Sequence, residues 1–281
     1  MEKFTIITNS VKDKNQSVAQ RIADYLANHK KECVILEAEE KRENQPCHYT
    51  DVSRIPEDVQ CVIVLGGDGT LLQAARDVVD REIPLFGINL GTLGYLAEIE
   101  QHNIYPALDR LMSDRFTIER RMMLSGEILR NGRKIASDVA LNDIVISREG
   151  ALRVVRFNNY VNDTFLNTYK ADGIIISTPS LSAGGPIISP NASMLLMTPL
   201  APHTLNTRSI VFSPEDVITV ELGEGRDGSM EQGMASFDGD SSVPMITGDR
   251  IVISKSKKDT QIIKINNISF LETLRNKMRN N

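Results

Sequence analysis

From the N-terminus to about residue 112, short apolar runs alternate with stretches where apolar residues recur every three or four positions. Phe4-Thr5-Ile6-Ile7-Thr8 reads as a strand, and Val18, Ile22, Tyr25 and Leu26 mark one face of a helix over residues 17–29. Residues 33–36 form a second strand pattern, and the polar stretch 37–49 a loop. Residues 59–65 are β-branched and apolar without alternation, the pattern of a parallel strand buried on both faces. A helix is expected over 71–79, a strand over 84–89 and a helix over 104–112. This alternation predicts an α/β domain with a mostly parallel sheet.

The pattern changes near Arg115. Residues 123–129 and 133–139 flank Asn131-Gly132, whose residue types suit the positive φ angles of a tight hairpin turn. Strand-like runs follow over 140–147, 153–161, 164–169, 173–177, 209–212, 217–222, 250–254 and 261–265, with few helix patterns between them. This half predicts an all-β sandwich. The glycine-rich, charged stretch 223–233 reads as a mobile surface loop, and 270–278 as a short terminal helix.

The chain has 281 residues, with 32 Lys+Arg against 37 Asp+Glu, a net charge of −5. The acidic balance disfavours a nucleic-acid binder that uses a broad basic face. No run approaches the ~20 apolar residues of a membrane span, and the N-terminus lacks the apolar core of a signal peptide. Three cysteines (Cys33, Cys47, Cys61) without a CxxC spacing argue against disulfides and zinc, and point to the cytoplasm.

The sharpest local feature is Gly66-Gly67-Asp68-Gly69-Thr70, after a buried strand and before a helix. Glycines permit close approach of backbone to a ligand, and a helix start offers unpaired N–H groups and positive dipole to a phosphate. Asp68 then stands at the carboxyl end of a strand, where α/β sheets place ligands. The plainer alternative is a strand–helix turn with Asp68 as N-cap. The loop is neither a Walker loop nor GxGxxG. A second glycine cluster, Gly87-Ile88-Asn89-Leu90-Gly91-Thr92-Leu93-Gly94, also follows a strand and by itself marks tight turns.

Together with Leu141-Asn142-Asp143, Asp172-Gly173, Ser177-Thr178-Pro179, Leu181-Ser182-Ala183-Gly184-Gly185-Pro186, Pro199-x-x-Pro202-His203 and Ser236-Phe237-Asp238-Gly239, these segments resemble the NAD kinase family over nearly the whole chain. The Gly-Gly-Asp-Gly element is shared with lipid kinases and phosphofructokinases, whereas the Asn-Asp and Leu-Ser-Ala-Gly-Gly-Pro segments mark NAD kinases. The resemblance implies an α/β domain over 1–116, a dinucleotide-binding β-sandwich over 117–262, and a segment, 263–281, that returns to the first domain. It implies phosphorylation of the adenosine ribose 2′-hydroxyl of NAD to give NADP, with ATP or polyphosphate as donor and Mg²⁺ arriving with the nucleotide. Asp68 matches the family's proton acceptor, beside Gly69, with Gly66, Gly67 and Thr70 forming the phosphate loop. Asn142 and Asp143 match the pair that grips ribose and adenine. Arg153, Lys170, Asp172, Ser180, Leu181 and Ser182 match further dinucleotide contacts. Asp240 stands where many members have glutamine, and Gln73 where many have a basic residue. A homo-oligomer, commonly a tetramer, is also implied. Without the resemblance, Asn142 reads as a strand end, Arg153 and Lys170 as solvated charges, Asp172 as a turn residue and His203 as structural.

In one place the sequence departs from the family. Pro179 runs directly into Ser180-Leu181-Ser182, omitting the Thr-Gly-Ser-Thr-Ala-Tyr that lines the NAD pocket in relatives. Three other functions are therefore weighed: a kinase of another nucleoside or dinucleotide, a lipid kinase, and a catalytically impaired NAD-binding protein.

Overall fold

The structure, a computed structural model, describes residues 1–37, 50–91, 94–150, 155–180, 186–203, 208–225, 227–266 and 269–279. It divides into two compact units, Met1–Arg121 with Lys258–Asn281, and Met122–Lys257. The expected loop over 37–49 lies almost entirely outside the described residues.

The first unit contains β1 (Lys3–Thr8), α1 (Ser17–Asn28), β2 (Glu32–Glu37), β3 (Cys61–Gly66), α2 (Asp68–Asp77), β4 (Leu85–Asn89), β5 (Ile99–Glu100) and α3 (Ile104–Met112). The strands pair in parallel in the order β2, β1, β3, β4, with β5 added beyond β4. Every residue of β3 is buried, which explains its unbroken apolar run. Full burial of each aliphatic side chain contributes about 1.5–3 kcal/mol. α1 and α3 turn Ala19, Ile22 and Leu26, and Ile104, Ala107, Leu108 and Leu111, into the same core. α1 starts where expected because the buried Asp13 carboxylate accepts the Val18 and Ala19 amides at 2.8 and 2.9 Å. α2 begins at Asp68, three residues before the apolar pattern shows it, since Asp68, Gly69 and Thr70 are not apolar residues. Cys33 and Cys61 lie on β2 and β3, the two strands flanking β1, and both are free thiols. Burial raises both pKa values, that of Cys33 to about 12.

The second unit is an antiparallel β-sandwich, with β6 (Thr117–Arg130), β7 (Arg133–Ala140), β8 (Asp143–Arg148), β9 (Val155–Val161), β10 (Thr164–Ala171), β11 (Gly173–Ser177), β12 (Leu195–Leu200), β13 (Ile210–Phe212), β14 (Ile218–Leu222), β15 (Gln232–Phe237), β16 (Ser241–Ile246) and β17 (Arg250–Lys264). One layer runs β10, β9, β14, β17; the other runs β13, β12, β11, β8, β15, β16. Phe157, Ile174, Ile176, Met197 and Phe237 fill the core. Asn131 and Gly132 take φ 51° and 73°, as their residue types predict, and close the β6–β7 hairpin.

Three expectations need correction. The two strands expected at 250–254 and 261–265 are one strand, β17. The polar run Lys255-Ser256-Lys257-Lys258-Asp259 hides its continuity, because a strand ladder is made by backbone and tolerates polar side chains. β12 escapes the pattern because it contains Pro199, and β16 because it contains Pro244. β15 begins inside the stretch expected to be a loop, whose described part carries a Gly225–Ser229 backbone hydrogen bond of 2.9 Å. β17 begins in the second unit and ends in the first, followed by α4 (Phe270–Arg279), and Lys258–Asn281 belong to the first unit.

Candidate active site

Asp68 opens α2, directly after Gly67, which is the N-cap and supplies no side chain to cover the helix's first amides. The Asp68 carboxylate does not cap its own helix, contrary to the plainer alternative. It reaches the end of the second glycine cluster, where Oδ2 accepts the Tyr95 amide at 2.7 Å and Oδ1 accepts those of Leu96 and Ala97 at 3.0 and 3.1 Å. Successive amides turned onto one anion form a nest. Each charge-assisted bond contributes about 1.5–3 kcal/mol. Gly66 is needed because an added Cβ would overlap the Thr70 side chain; Thr70 itself is buried. Gly69 is exposed, with open space where its side chain would be. Lys12, in the turn after β1, puts Nζ 2.7 Å from where a Gly67 Cβ would stand. This arrangement can hold a phosphate against the loop and offer a fixed carboxylate beside it.

A second seat lies at the start of β8. Asp238 Oδ2 accepts the Leu141 amide at 2.8 Å, and its Oδ1 accepts those of Asn142 and Asp143 at 2.7 and 3.1 Å. Asp238 takes φ 52° and Gly239 φ 78° in the turn between β15 and β16, which aims the carboxylate back at β8. From the other side Thr178 Oγ1 donates to the Leu141 carbonyl at 2.7 Å, and the Thr178 amide donates to that of Asn142 at 2.8 Å. The pair is thus held by its backbone while its side chains make few internal bonds. Among the described residues Asn142 Oδ1 is buried without a partner, and so is Ser177 Oγ, whose residue pairs with Asp143 across β8 and β11. An unpaired buried acceptor costs about 1–3 kcal/mol, a cost that a ligand donor would relieve. Burial, and then the neighbouring Asp238 charge, raise the Asp143 carboxyl to a pKa of about 7.

The remaining residues are less concentrated. Asp172 joins β10 to β11 and is paired with Arg148, Nε to Oδ1 2.8 Å. Lys170 is exposed on β10, opposite Arg156 of β9, and both line an open groove with Glu221 and Glu224. Ser180 is buried and its amide donates to Thr178 Oγ1 at 3.1 Å. Asp240 follows the β15–β16 turn, its amide bonded to the Phe237 carbonyl at 3.1 Å. His203 donates its amide to the Lys170 carbonyl at 2.8 Å. Arg153, Leu181 and Ser182 lie outside the described residues. Lys12, Gly94, Thr178 and the supporting role of Asp238 were not anticipated. The motif segments containing Thr178 and Asp238 were the available signal.

A glycine loop between a buried parallel strand and a helix, with a carboxylate fixed beside it, in a chain that also carries an antiparallel sandwich with a half-buried Asn-Asp pair at the start of an interior strand, defines a phosphoryl-transfer enzyme of the nucleotide-kinase class. Residues 4–116 match the family model for the ATP-NAD kinase N-terminal domain, and residues 141–265 that for the C-terminal domain. The chain is 45% identical to the NAD kinase of Lachnospira eligens over 99% of its own length and 100% of that protein's. It is 43% identical to the NAD kinase of Agathobacter rectalis over 100% and 99%. Its fold is similar to that of yeast NADH kinase complexed with NADH (TM-score 0.81, 20% identity, covering 100% of this chain and 88% of that one). The NAD kinase of Archaeoglobus fulgidus in complex with ATP shares the fold at TM-score 0.75 and 23% identity, covering 99% and 98%. The chain belongs to the NAD kinase family.

Proposed function

We propose that this enzyme transfers a phosphoryl group from ATP, or another phosphoryl donor, to the adenosine ribose 2′-hydroxyl of NAD, giving NADP. The observation that carries this reading is the amide-held Asp68 carboxylate beside the glycine loop, in a chain matched to NAD kinases along its whole length. Asn142 and Asp143 hold the acceptor ribose and adenine; the orphaned Asn142 Oδ1 supports an acceptor role toward a ligand donor. Asp68 takes the hydroxyl proton as the ribose oxygen bonds to phosphorus and the donor's bridging oxygen departs with its electron pair. Gly66, Gly67, Gly69 and Thr70 supply amides to the phosphates, and Lys12 supplies a positive charge. Phosphoryl transfer needs this positioning and charge compensation more than covalent catalysis. Arg153, Lys170, Asp172, Ser180, Leu181, Ser182 and Asp240 are retained as dinucleotide contacts on the resemblance alone.

Among the described residues, no three acidic, histidine or cysteine side chains converge as a metal cage. On the resemblance, Mg²⁺ would arrive with the phosphates of the donor, whose oxygens suit this hard cation. When bound there it offsets phosphate charge. The division into 1–116, 117–262 and 263–281, a homo-oligomeric state, a cytoplasmic location and partners limited to small molecules are proposed on the resemblance and the acidic balance. A different acceptor is not favoured, because close relatives along the full chain are NAD kinases. Incubation with labelled ATP and NAD, NADH, adenosine or diacylglycerol tests the reading. Label is expected in NADP, and label appearing only in adenosine or lipid refutes it.

A further inference from the structure

We infer that residues 94–97 are the positioning device for the Asp68 carboxylate, and that they leave Oδ2 as the oxygen that takes the substrate proton. An ionised carboxylate has two acceptor sites on each oxygen. Two amides, from Leu96 and Ala97, occupy Oδ1, whereas among the described residues Oδ2 accepts only that of Tyr95. Among the described residues one acceptor site therefore stays available, and it lies on Oδ2.

Gly94 makes this geometry possible. A Cβ added there would fall inside the Asp68 carboxylate, so the position admits no side chain unless Asp68 moves. Gly91, in the same cluster, differs: its added Cβ would make an ordinary contact of 3.9 Å with Asn89 Oδ1.

The segment is braced from behind by the C-terminal part of the chain. Glu98 Oε1 accepts the Ile265 and Asn266 amides at 2.8 and 3.1 Å. Lys264 Nζ reaches Glu98 Oε2 and the Leu96 carbonyl, each at 3.4 Å. The Tyr95 ring lies 6.4 Å from that of Phe270, centre to centre. The end of β17 and the start of α4 thereby fix the amides that fix Asp68. Gly94 and Glu98 are positioning residues: they act on the reaction through Asp68.

The inference rests on Asp68 being the proton acceptor, and the test separates the two. Steady-state kinetics with NAD and ATP are measured for Gly94→Ala, Gly91→Ala and Asp68→Asn, with folding followed by circular dichroism. Gly94→Ala is expected to lower kcat about 100-fold with KM for NAD nearly unchanged, as a displacement near 1 Å does. Gly91→Ala should match the native enzyme. A folded Gly94→Ala with native kcat, or one whose loss falls on KM instead, overturns the positioning role while an inactive Asp68→Asn keeps Asp68 as proton acceptor. An active Asp68→Asn removes the underlying reading instead. Should Gly94→Ala fail to fold, Glu98→Ala serves, expected to cut kcat about tenfold by loosening the same brace, with Glu98→Gln restoring it because its carbonyl still accepts both amides. Native kcat in Glu98→Ala overturns the inference. A structure with NAD bound decides the oxygen: the 2′-hydroxyl should approach Oδ2, and approach to Oδ1 overturns that assignment.

Discussion

The Asp68 seat and the Asn142–Asp143 seat use one device in opposite senses. In each, a carboxylate accepts three consecutive backbone amides: Asp68 those of Tyr95, Leu96 and Ala97, and Asp238 those of Leu141, Asn142 and Asp143. In the first seat the anion is the proposed proton acceptor and the amides support it. In the second the anion is the support, and the residues owning the amides carry the side chains proposed to bind the dinucleotide. A carboxylate–amide nest thus fixes position equally well from either side. What differs is the charge left over: among the described residues the first seat presents a carboxylate with capacity to spare, while the second places Asp143 beside another half-buried carboxylate.

The strongest test of this contrast is Asp68→Asn. The amide retains the shape but cannot take the proton, so kcat should fall about 10³-fold while NAD affinity is largely kept. It also points an N–H donor at one of the nest's amides, so the melting temperature should drop as well. Turnover within a few-fold of the native enzyme would place the reactive group elsewhere.

Asp238→Ala should act on binding instead of turnover. It strips the acceptor from three amides and frees the Asn142–Asp143 backbone, so NAD affinity by calorimetry should fall about 30-fold, or about 2 kcal/mol. Asp238→Asn, which keeps one acceptor oxygen, should lose less. An equal loss of kcat with unchanged affinity would contradict the contrast between the seats.

Asn142→Ala is expected to weaken NAD binding about tenfold, roughly 1.4 kcal/mol, with little change in melting temperature. Among the described residues the side chain's buried Oδ1 has no internal partner to lose. A large stability loss with native NAD affinity would make Asn142 a strand-end residue only.

The smallest effect concerns Asp143. Its pKa in the fold is raised to about 7, first by burial and then by Asp238, whereas in the unfolded chain it titrates near 3.9. Between those values the native state holds the extra proton, so the stabilising contribution is full at low pH and is lost as pH rises through 7. Asp143→Asn should remove that slope and leave the variant more stable than the native protein at pH 8, by on the order of 1–2 kcal/mol. Urea midpoints at pH 5.5 and pH 8 measure it; parallel profiles for both proteins would show that Asp143 is not so perturbed.

Much of this was legible in the residues. Helical spacing of apolar residues located α1 and α3, an unbroken apolar run located the buried β3, and Asn131-Gly132 announced its hairpin. Gly66-Gly67-Asp68-Gly69-Thr70 and Leu141-Asn142-Asp143 marked two segments that take part in the carboxylate–amide nests. Less was visible where a proline or a polar run interrupts a strand, as in β12, β16 and the middle of β17, because ladder hydrogen bonds depend on backbone and not on side-chain polarity.

The sequence by itself determined which side chains are present, their periodicity, and hence the α/β half, the all-β half and the identities of Asp68, Asn142 and Asp143. Only the tertiary structure decided what holds them. Asp68 is fixed by amides 27, 28 and 29 positions away, and Asp238 holds amides 97, 96 and 95 positions away. Nearly every residue carries the same N–H group, so no residue type marks Tyr95, Leu96 or Ala97 as donors. Nor does any residue type show that Gly94 must be glycine because a distant carboxylate fills the space beside it. Those facts come into being when the chain closes on itself and backbone groups far apart in sequence meet a single anion.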